Sequence, residues 1–284
     1  IGPNCVGFAR FHEGLCAIAE PIPQNLRAGE ASLISNSGAM LSGLLQSLAL
    51  NGLGLDACYS IGNGAGFDLV QAVEDAAQRG TTRVICALVE AIPGQERLAM
   101  AIRQGRQRGC EFVFLLLGHS QGARAIAASH TGAVLGEGSL ARAWLSEQGV
   151  AVVDSVPELG HTASLLARIG RLEPTRGVMI VAGSGGACGL AADILARRNV
   201  PLASLSAATV EKLQRQLPEG SRPGNPLDIV SGSSQQRGEI CRTLCADPGV
   251  GILLEPIAVI WADDSPERIR HRETISSISE AAQA

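Results

Sequence analysis

The sequence predicts an α/β fold of two doubly wound domains, each built on a parallel sheet. Three observations lead to this prediction. Short apolar runs alternate with longer amphipathic runs, as strands and helices do in a parallel sheet covered on both faces. The length of 284 residues reaches the limit of about 250–300 residues at which single cores stop growing. The two halves also repeat one plan, in which a strand leads through a turn rich in serine and glycine into a helix.

Six apolar runs are predicted to be strands buried on both faces, because they are continuous and do not alternate with polar residues. They cover residues 31–35, 82–89, 110–118, 149–153, 177–183 and 250–255. Five runs with helical periodicity lie between them, at residues 38–52, 66–80, 96–109, 139–149 and 189–199. Four of the five end at glycine, which is common just after the last helical turn. A charged, proline-containing link at 168–177 predicts a boundary between a domain at 1–170 and a second domain at 171–284.

The composition argues against several classes of protein. Apolar residues make up 46% of the chain and charged residues 18%, which is enough for a sizeable core. The net charge is −4 and only 3% of residues are aromatic, so we expect no nucleic-acid partner. We also expect no membrane partner and a cytoplasmic location, since the sequence has neither a signal peptide nor a long apolar stretch. The eight scattered cysteines are predicted to be buried thiols, without disulfides and without a metal site.

Two turns at predicted helix starts are candidate anion sites. They are Ser35-Asn36-Ser37-Gly38 and Ser184-Gly185-Gly186. A helix N-terminus offers unpaired N–H groups and a positive partial charge, so either turn could hold a phosphate or a carboxylate. Serine is also common there as an ordinary helix cap, and the sequence does not decide between the two interpretations.

A five-residue pattern suggests a serine hydrolase as an alternative. Gly118 to Gly122 match the G-x-S-x-G nucleophile elbow, with Ser120 as the nucleophile. A triad would then need an acid and a histidine in that chain order, for which Asp264 and His271 are available. These two are only seven residues apart, and no oxyanion segment precedes the serine, so the pattern is weakly supported.

His130 lies among residues too small to enclose it in a packed core. A neutral imidazole is a nucleophile near pH 7, and its attack on a phosphoryl group would give a phosphohistidine. The flanking Ser129, Thr131 and Gly132 suit a mobile loop that carries such a group. The ring would need a carboxylate to fix its tautomer. Glu90 directly follows a predicted strand, which places it at the carboxyl edge of the sheet, where such folds bind ligands.

Seven motifs in order resemble those of the NDP-forming acyl-CoA synthetases, which are relatives of succinyl-CoA synthetase. They are IGPNCVGF, SLISNSGAML, YSIGNGAGFDLVQAVED, ALVEAIPG, SHTGAVLG, AGSGGACGLAADIL and NPLDIV. The resemblance covers about residues 1–255 and implies two flavodoxin-like, succinyl-CoA synthetase-like domains. It implies an acid–CoA ligase that interconverts acyl-CoA, NDP and phosphate with acid, CoA and NTP, through acyl phosphate and phosphohistidine intermediates.

The same resemblance implies a role for each matched residue. It makes His130 the phosphorylated histidine and Glu90 its carboxylate partner. It implies that the helix N-termini at the two turns hold phosphate or the acyl group, through Ser35, Asn36, Ser37, Gly38, Ser184, Gly185 and Gly186. It places Asn4 and Cys5 near the thiol end of CoA. The supporting positions are Gly62, Asn63, Ser129, Thr131, Gly132, Asn225 and Asp228.

The implied ligands and partners extend beyond this chain. CoA is a substrate, and ADP or ATP with Mg²⁺ would bind an ATP-grasp domain or subunit that these residues do not include. Most of the family's CoA-binding domain is also missing, and the first residue is not methionine, so we expect a piece or a subunit of a larger enzyme. Acyl-CoA or a carboxylic acid, phosphate and the ATP-grasp partner are the expected partners, and a homo-oligomer is compatible with the fold. A non-catalytic module that binds CoA esters or phosphate is the other alternative.

Overall fold

A computed structural model describes residues 1–92, 94–118, 123, 138–170, 176–231, 233–256, 273 and 275–277. The chain divides into two compact units, Ile1–Gly170 and Arg171–Ala284. Each unit contains its own sheet and its own hydrophobic cores.

The described part of the first unit contains a seven-stranded sheet. In chain order the strands are β1 (Gly7–Arg10), β2 (Leu15–Ile18), β3 (Ala28–Ser35), β4 (Leu55–Ser60), β5 (Val84–Val89), β6 (Glu111–Leu116) and β7 (Ala151–Val153). Their spatial order is β2-β1-β4-β3-β5-β6-β7. Pairing is parallel from β4 across to β7, whereas β1 is antiparallel to both β2 and β4.

Three of these strands do not correspond to predicted runs. β1 and β2 have only four residues each. β1 ends in Arg10, and the short apolar run of β2 was not predicted to be a strand and is mostly exposed. β4 is fully buried but contains Asp56, which interrupts its apolar run in the sequence. The carboxylate of Asp56 accepts hydrogen bonds from Arg79, Thr81 and Thr82, and these bonds allow an acid to lie in a buried strand.

Helices cover both faces of this sheet. They are α1 (Gly38–Leu50), α2 (Leu69–Gln78), α3 (Gln95–Gln107), α4 (Gly138–Glu147) and α5 (Val156–Ile169). Successive strand residues point to opposite faces. Ile34, Ala87 and Phe114 therefore pack in one core with α2, α3 and α4. Leu33 and Cys86 belong to a second core with α1 and α5. The predicted doubly wound α/β architecture is confirmed.

The second unit is a smaller version of the same architecture. Its described strands are β8 (Gly177–Ala182), β9 (Leu227–Asp228) and β10 (Val250–Leu254), arranged in parallel as β10-β8-β9. Its helices are α6 (Gly185–Arg197), α7 (Ala207–Gln216) and α8 (Ser234–Cys245). Val178 and Ile180 share a core with α6. Met179 and Val181 point to the other face, where α7 and α8 pack.

α6 begins four residues before the helix predicted at 189–199. Ser184 caps it, because its side chain accepts a hydrogen bond from the backbone N–H of Ala187 at 3.4 Å. The turn Ser184-Gly185-Gly186 marks this start in the sequence, but glycine has a low helix propensity, so the predicted helical run begins only at Gly189.

Among the helices that the structure describes, none is long and apolar enough to cross a membrane.

Candidate functional site at the carboxyl edge of the first sheet

The carboxyl ends of β3, β4 and β5 bring several predicted site residues to one edge. In the strand register, Ser35 at the end of β3 lies beside Ser60 of β4 on one side and Leu88 of β5 on the other. The turn that begins at Ser35, the loop that follows Ser60 and the acid Glu90 therefore lie at the same edge. Open α/β sheets bind ligands at this edge.

The turn after β3 forms the start of α1. The hydroxyl of Ser35 is buried, donates to the Ser37 carbonyl at 2.8 Å and accepts from the Ser37 N–H at 3.2 Å. Ser37 caps α1 by accepting from the N–H of Met40 at 3.4 Å. The N–H groups of Gly38 and Ala39 have no acceptor within the helix, because they belong to its first turn. These two N–H groups are suited to bind an anion.

Asn36 bridges the neighbouring strands through its side-chain amide. Its Nδ2 donates to the Gly62 carbonyl at 2.9 Å, and its Oδ1 accepts from the backbone N–H of Glu90 at 3.4 Å. Its own backbone N–H donates to the Leu88 carbonyl at 3.1 Å. The side chain predicted to contact phosphate is thus hydrogen-bonded on both sides to the protein backbone.

The N-terminal segment packs on the loop after β4. Asn4 Nδ2 donates to Asn63 Oδ1 at 3.2 Å, and the Asn63 N–H donates to the Pro3 carbonyl at 3.1 Å. Gly62 has φ +57°, and a Cβ there would lie 2.3 Å from the Pro3 oxygen. Only glycine permits this approach. Cys5 is half-buried and adjoins Val6, whose N–H donates to the Ser60 hydroxyl at 3.1 Å.

Glu90 immediately follows β5 and is half-buried. Directly after the adjacent strand β6, the N–H of Leu117 donates to the Val89 carbonyl at 2.9 Å. The predicted residues Ser120, Ser129, His130, Thr131, Gly132, Asp264 and His271 lie outside the described residues.

The second unit places its predicted residues at the carboxyl edge of its own sheet. Ser184, Gly185 and Gly186 follow β8 and open α6, and both glycines are exposed. Asp228 ends β9, and its Oδ2 lies 3.0 Å from the position that a Cβ on Gly185 would occupy. Its Oδ1 is buried and makes no hydrogen bond within the part of the chain that the structure describes. A carboxylate thus lies close to the first turn of α6.

Asn225 links β8 to the segment that follows α6. Its Oδ1 accepts from the N–H of Ile180 at 3.0 Å, and its Nδ2 donates to the carbonyls of Val178 at 2.8 Å and Ala203 at 3.0 Å. All three partners are backbone groups, so Asn225 supports the sheet below the turn at Ser184.

The sequence-based prediction missed an ion pair at the same edge of the second sheet. Glu255 directly follows β10 and pairs with Arg237 of α8, whose guanidinium also donates to the Ile229 carbonyl at 3.2 Å. A Cβ on Gly183 would lie 3.0 Å from the same guanidinium, which therefore adjoins the ends of β8, β9 and β10. An acid directly after a buried strand had pointed to Glu90, and the same pattern could have identified Glu255.

No group of three metal-binding side chains occurs among residues whose positions are described. All eight cysteines are free thiols; five are buried as predicted, whereas Cys16 and Cys245 are exposed and Cys5 is half-buried. Burial raises the pKa of Cys86 and of Cys241 to about 12, so both are protonated at neutral pH and poor nucleophiles.

The chain is similar to one domain family and to curated acetate–CoA ligases. Residues 28–166 match the model of the succinyl-CoA ligase like flavodoxin domain. The chain is 29% identical over 258 residues to the acetate–CoA ligase (ADP-forming) II subunit alpha of Pyrococcus furiosus, an alignment covering 89% of this chain and 54% of that protein. It is 30% identical over 255 residues to the acetate–CoA ligase (ADP-forming) I of Archaeoglobus fulgidus, covering 89% of this chain and 36% of that protein. The chain therefore spans about half the length of the first relative and about a third of the second.

Solved structures share the fold. The dinucleotide forming acetyl-coenzyme A synthetase 1 of Ca. Korarchaeum cryptofilum, in complex with phosphate and ADP, superposes with a TM-score of 0.84 at 20% identity, covering 99% of this chain and 60% of that one. PH0766 from Pyrococcus horikoshii OT3 superposes with a TM-score of 0.79 at 23% identity, covering 99% and 59%. At these identities the similarity concerns the fold alone.

Proposed function

We propose a function for this chain from its membership of the NDP-forming acyl-CoA synthetase family, which its succinyl-CoA ligase like flavodoxin domain and its curated relatives establish. The chain is the core of an acid–CoA ligase that interconverts acyl-CoA, NDP and phosphate with acid, CoA and NTP. It acts in the cytoplasm together with an ATP-grasp domain or subunit, which binds the nucleotide with Mg²⁺.

The proposal depends on one observation above all. Three segments that the family resemblance connects with CoA, phosphate and the phosphohistidine lie at one sheet edge, where hydrogen bonds join them directly or through the loop after β4. They are the N-terminal segment at Asn4, the turn at Ser35–Gly38 and the acid Glu90. This arrangement supports a site in which CoA, phosphate and the phosphohistidine act next to one another.

Phosphate binding is assigned to helix N-termini. In the first unit, the N–H groups of Gly38 and Ala39 and the hydroxyl of Ser37 would hold the phosphate oxygens. In the second unit, Ser184, Gly185 and Gly186 offer the same kind of donors at the start of α6. Neutralising charge as it develops on the phosphoryl oxygens lowers the barrier to transfer.

The first chemical step joins phosphate to the acyl group. A phosphate oxygen attacks the thioester carbonyl, the carbon–sulfur bond breaks, and CoA leaves as a thiolate that takes up a proton. Asn4 and Cys5 are proposed to lie near that sulfur, with Gly62 and Asn63 supporting the segment from below. The product is an acyl phosphate and free CoA.

The second and third steps transfer the phosphoryl group through His130. A ring nitrogen attacks phosphorus, the bond from phosphorus to the acyl oxygen breaks, and the acid leaves as a carboxylate. Glu90 accepts the hydrogen bond of the other ring nitrogen, which fixes the tautomer and stabilises the charged ring. NDP then attacks the phosphohistidine, the phosphorus–nitrogen bond breaks, and neutral imidazole is restored.

Phosphorylation with labelled nucleotide tests this assignment. Supplied with an ATP-grasp partner and γ-labelled ATP, the protein is expected to take up phosphate that is labile in acid and stable in base. His130→Ala should abolish the uptake, and Glu90→Gln should slow it about 10- to 100-fold, the usual effect of losing such a partner. The label is measured on the denatured protein.

His161→Ala is the matched control, because His161 is an exposed histidine on α5. It should take up label at the wild-type rate. Uptake that persists in His130→Ala would refute the assignment. Binding of phosphate or CoA esters without any uptake would favour a non-catalytic module, and labelling of Ser120 by a fluorophosphonate would favour a hydrolase.

A further inference from the structure

We infer that Asn36 is a positioning residue, whose side chain holds the backbone at Glu90 against the loop after β4 and does not bind phosphate. The inference rests on the proposed function, in which Glu90 orients the phosphohistidine. It changes the role of Asn36 within the turn Ser35–Gly38, where the neighbouring N–H groups are the anion donors.

The geometry fixes the orientation of the Asn36 amide. Its Nδ2 donates to the Gly62 carbonyl at 2.9 Å while its Oδ1 accepts from the Glu90 N–H at 3.4 Å. An amide that donates at one end and accepts at the other has only one low-energy orientation between these two partners. Reversing the amide to present it differently to a phosphate would break both bonds and leave polar backbone groups unpaired at a half-buried position, so the orientation of the amide is set by Gly62 and Glu90 and not by an anion.

The backbone of Asn36 reinforces this link. Its N–H donates to the Leu88 carbonyl at 3.1 Å, so one residue contacts β5 just before and just after the strand ends. Glu90 is the first residue beyond β5, where the ladder of strand hydrogen bonds stops. The Asn36 amide extends that ladder by one residue, and it therefore limits how far the Glu90 backbone can turn.

The link continues to the N-terminal segment. The carbonyl that Asn36 contacts belongs to Gly62, against which Pro3 packs, and the next residue, Asn63, is hydrogen-bonded to Asn4. Glu90 and the segment assigned to the thiol end of CoA are thus connected through the Asn36 and Asn63 side chains. Through this connection, Asn36 places the phosphohistidine partner relative to the acyl-transfer site.

Steady-state kinetics of the ligase reconstituted with its ATP-grasp partner separate positioning from binding. Asn36→Leu removes both hydrogen bonds at similar volume, and we expect kcat to fall about 10- to 100-fold, as for other residues that orient an active-site group. The KM for inorganic phosphate should change less than about twofold. Removing a phosphate ligand would instead raise this KM, and each tenfold rise corresponds to about 1.4 kcal/mol of lost binding free energy. Asn36→Gln retains the amide and should recover part of the lost kcat.

Asn51→Ala is the matched control, because Asn51 is also half-buried and donates to a backbone carbonyl, that of Ser47, but at the C-terminal end of α1. It should leave both kinetic constants near wild type. A raised KM for phosphate with unchanged kcat in Asn36→Leu would overturn the inference and make Asn36 a phosphate ligand.

Hydrogen exchange of the chain alone tests the same link without the reaction. Asn36→Leu should speed exchange of the Glu90 amide at least about tenfold, because the opened hydrogen bond exposes that N–H to solvent. Asn51→Ala should not. Unchanged Glu90 exchange in both Asn36→Leu and Asn36→Gln would overturn the inference. A wild-type protein without phosphoryl transfer would refute the proposed function, while the exchange result would still decide whether Asn36 holds Glu90.

Discussion

Gly62 and Gly80 have similar backbone conformations but different surroundings. Their φ angles are +57° and +77°, in the left-handed region that side chains with a Cβ rarely adopt. A Cβ on Gly62 would lie 2.3 Å from the Pro3 oxygen, whereas one on Gly80 would meet nothing within 4 Å. Gly80 is therefore needed only for its backbone conformation. Gly62 is needed also for its small size, because of the contact with Pro3.

We predict that Gly62→Ala destabilises the protein more than Gly80→Ala. Both substitutions lose about 1–2 kcal/mol to the left-handed conformation. Gly62→Ala should lose about 1–3 kcal/mol more through the forced shift of the N-terminal segment. Urea unfolding followed by circular dichroism measures the difference. Equal losses in the two variants would show that the segment at Pro3 is not held on this loop.

At the scale of elements, a buried ion pair joins the end of α2 to the start of β4. Asp56 has no exposed side-chain surface and accepts from Arg79 Nε at 2.9 Å, from Thr81 at 2.6 Å and from Thr82 at 2.7 Å. Burial by itself would raise the pKa of Asp56. The hydrogen bonds and the charge of Arg79 outweigh burial and lower that pKa below its usual value.

The direction of this shift sets the pH dependence of stability. A carboxyl whose pKa is lower in the folded state stabilises the fold above its unfolded pKa, about 3.9, and this stabilisation is lost as pH falls through the folded pKa. Asp56→Asn should therefore cost about 3–5 kcal/mol at pH 7, the usual cost of breaking a buried pair. The difference from wild type should shrink as pH falls below about 4. Urea unfolding across this pH range measures it.

Asp154→Asn is the control at this scale. Asp154 also pairs with an arginine, Arg142, but its side chain is 70% exposed, so the substitution should cost less than about 1 kcal/mol. A loss in Asp56→Asn that does not vary with pH would contradict the assigned ionised pair.

At the scale of the whole molecule, the seven-stranded sheet of residues 1–170 has one hydrophobic core on each face. All the described side chains of these two cores belong to residues 1–170. Both faces are covered by helices of the same unit. We predict that a chain ending at Gly170 folds alone and unfolds cooperatively, because a unit of this size buries enough apolar surface to be stable. Its urea midpoint should match one of two transitions of the longer chain. A 1–170 chain without a cooperative transition would contradict the predicted boundary.

Local patterns made much of this molecule predictable. Continuous apolar runs predicted the strands β3, β5, β6, β7, β8 and β10. β5, β6 and β8 are buried almost throughout, as expected of strands covered on both faces, whereas β7 and β10 are only partly buried within the described part of the chain. An acid placed directly after such a run predicted Glu90 at the carboxyl edge. The hairpin β1–β2 was not predicted because its strands have only four residues each, and β4 was not predicted because Asp56 interrupts its apolar run.

The sequence by itself determined the α/β class, the family resemblance and the residues expected to carry the chemistry, because strand runs, helix starts and motifs are properties of neighbouring residues. Only the tertiary structure decided what each side chain contacts. Asn36 in the turn SNSG looks like an anion ligand in the sequence, but its amide is taken by Gly62 and Glu90, which are 26 and 54 residues away. Strands adjacent in the sheet are distant in the chain, so hydrogen bonds between their ends leave no local pattern in the sequence.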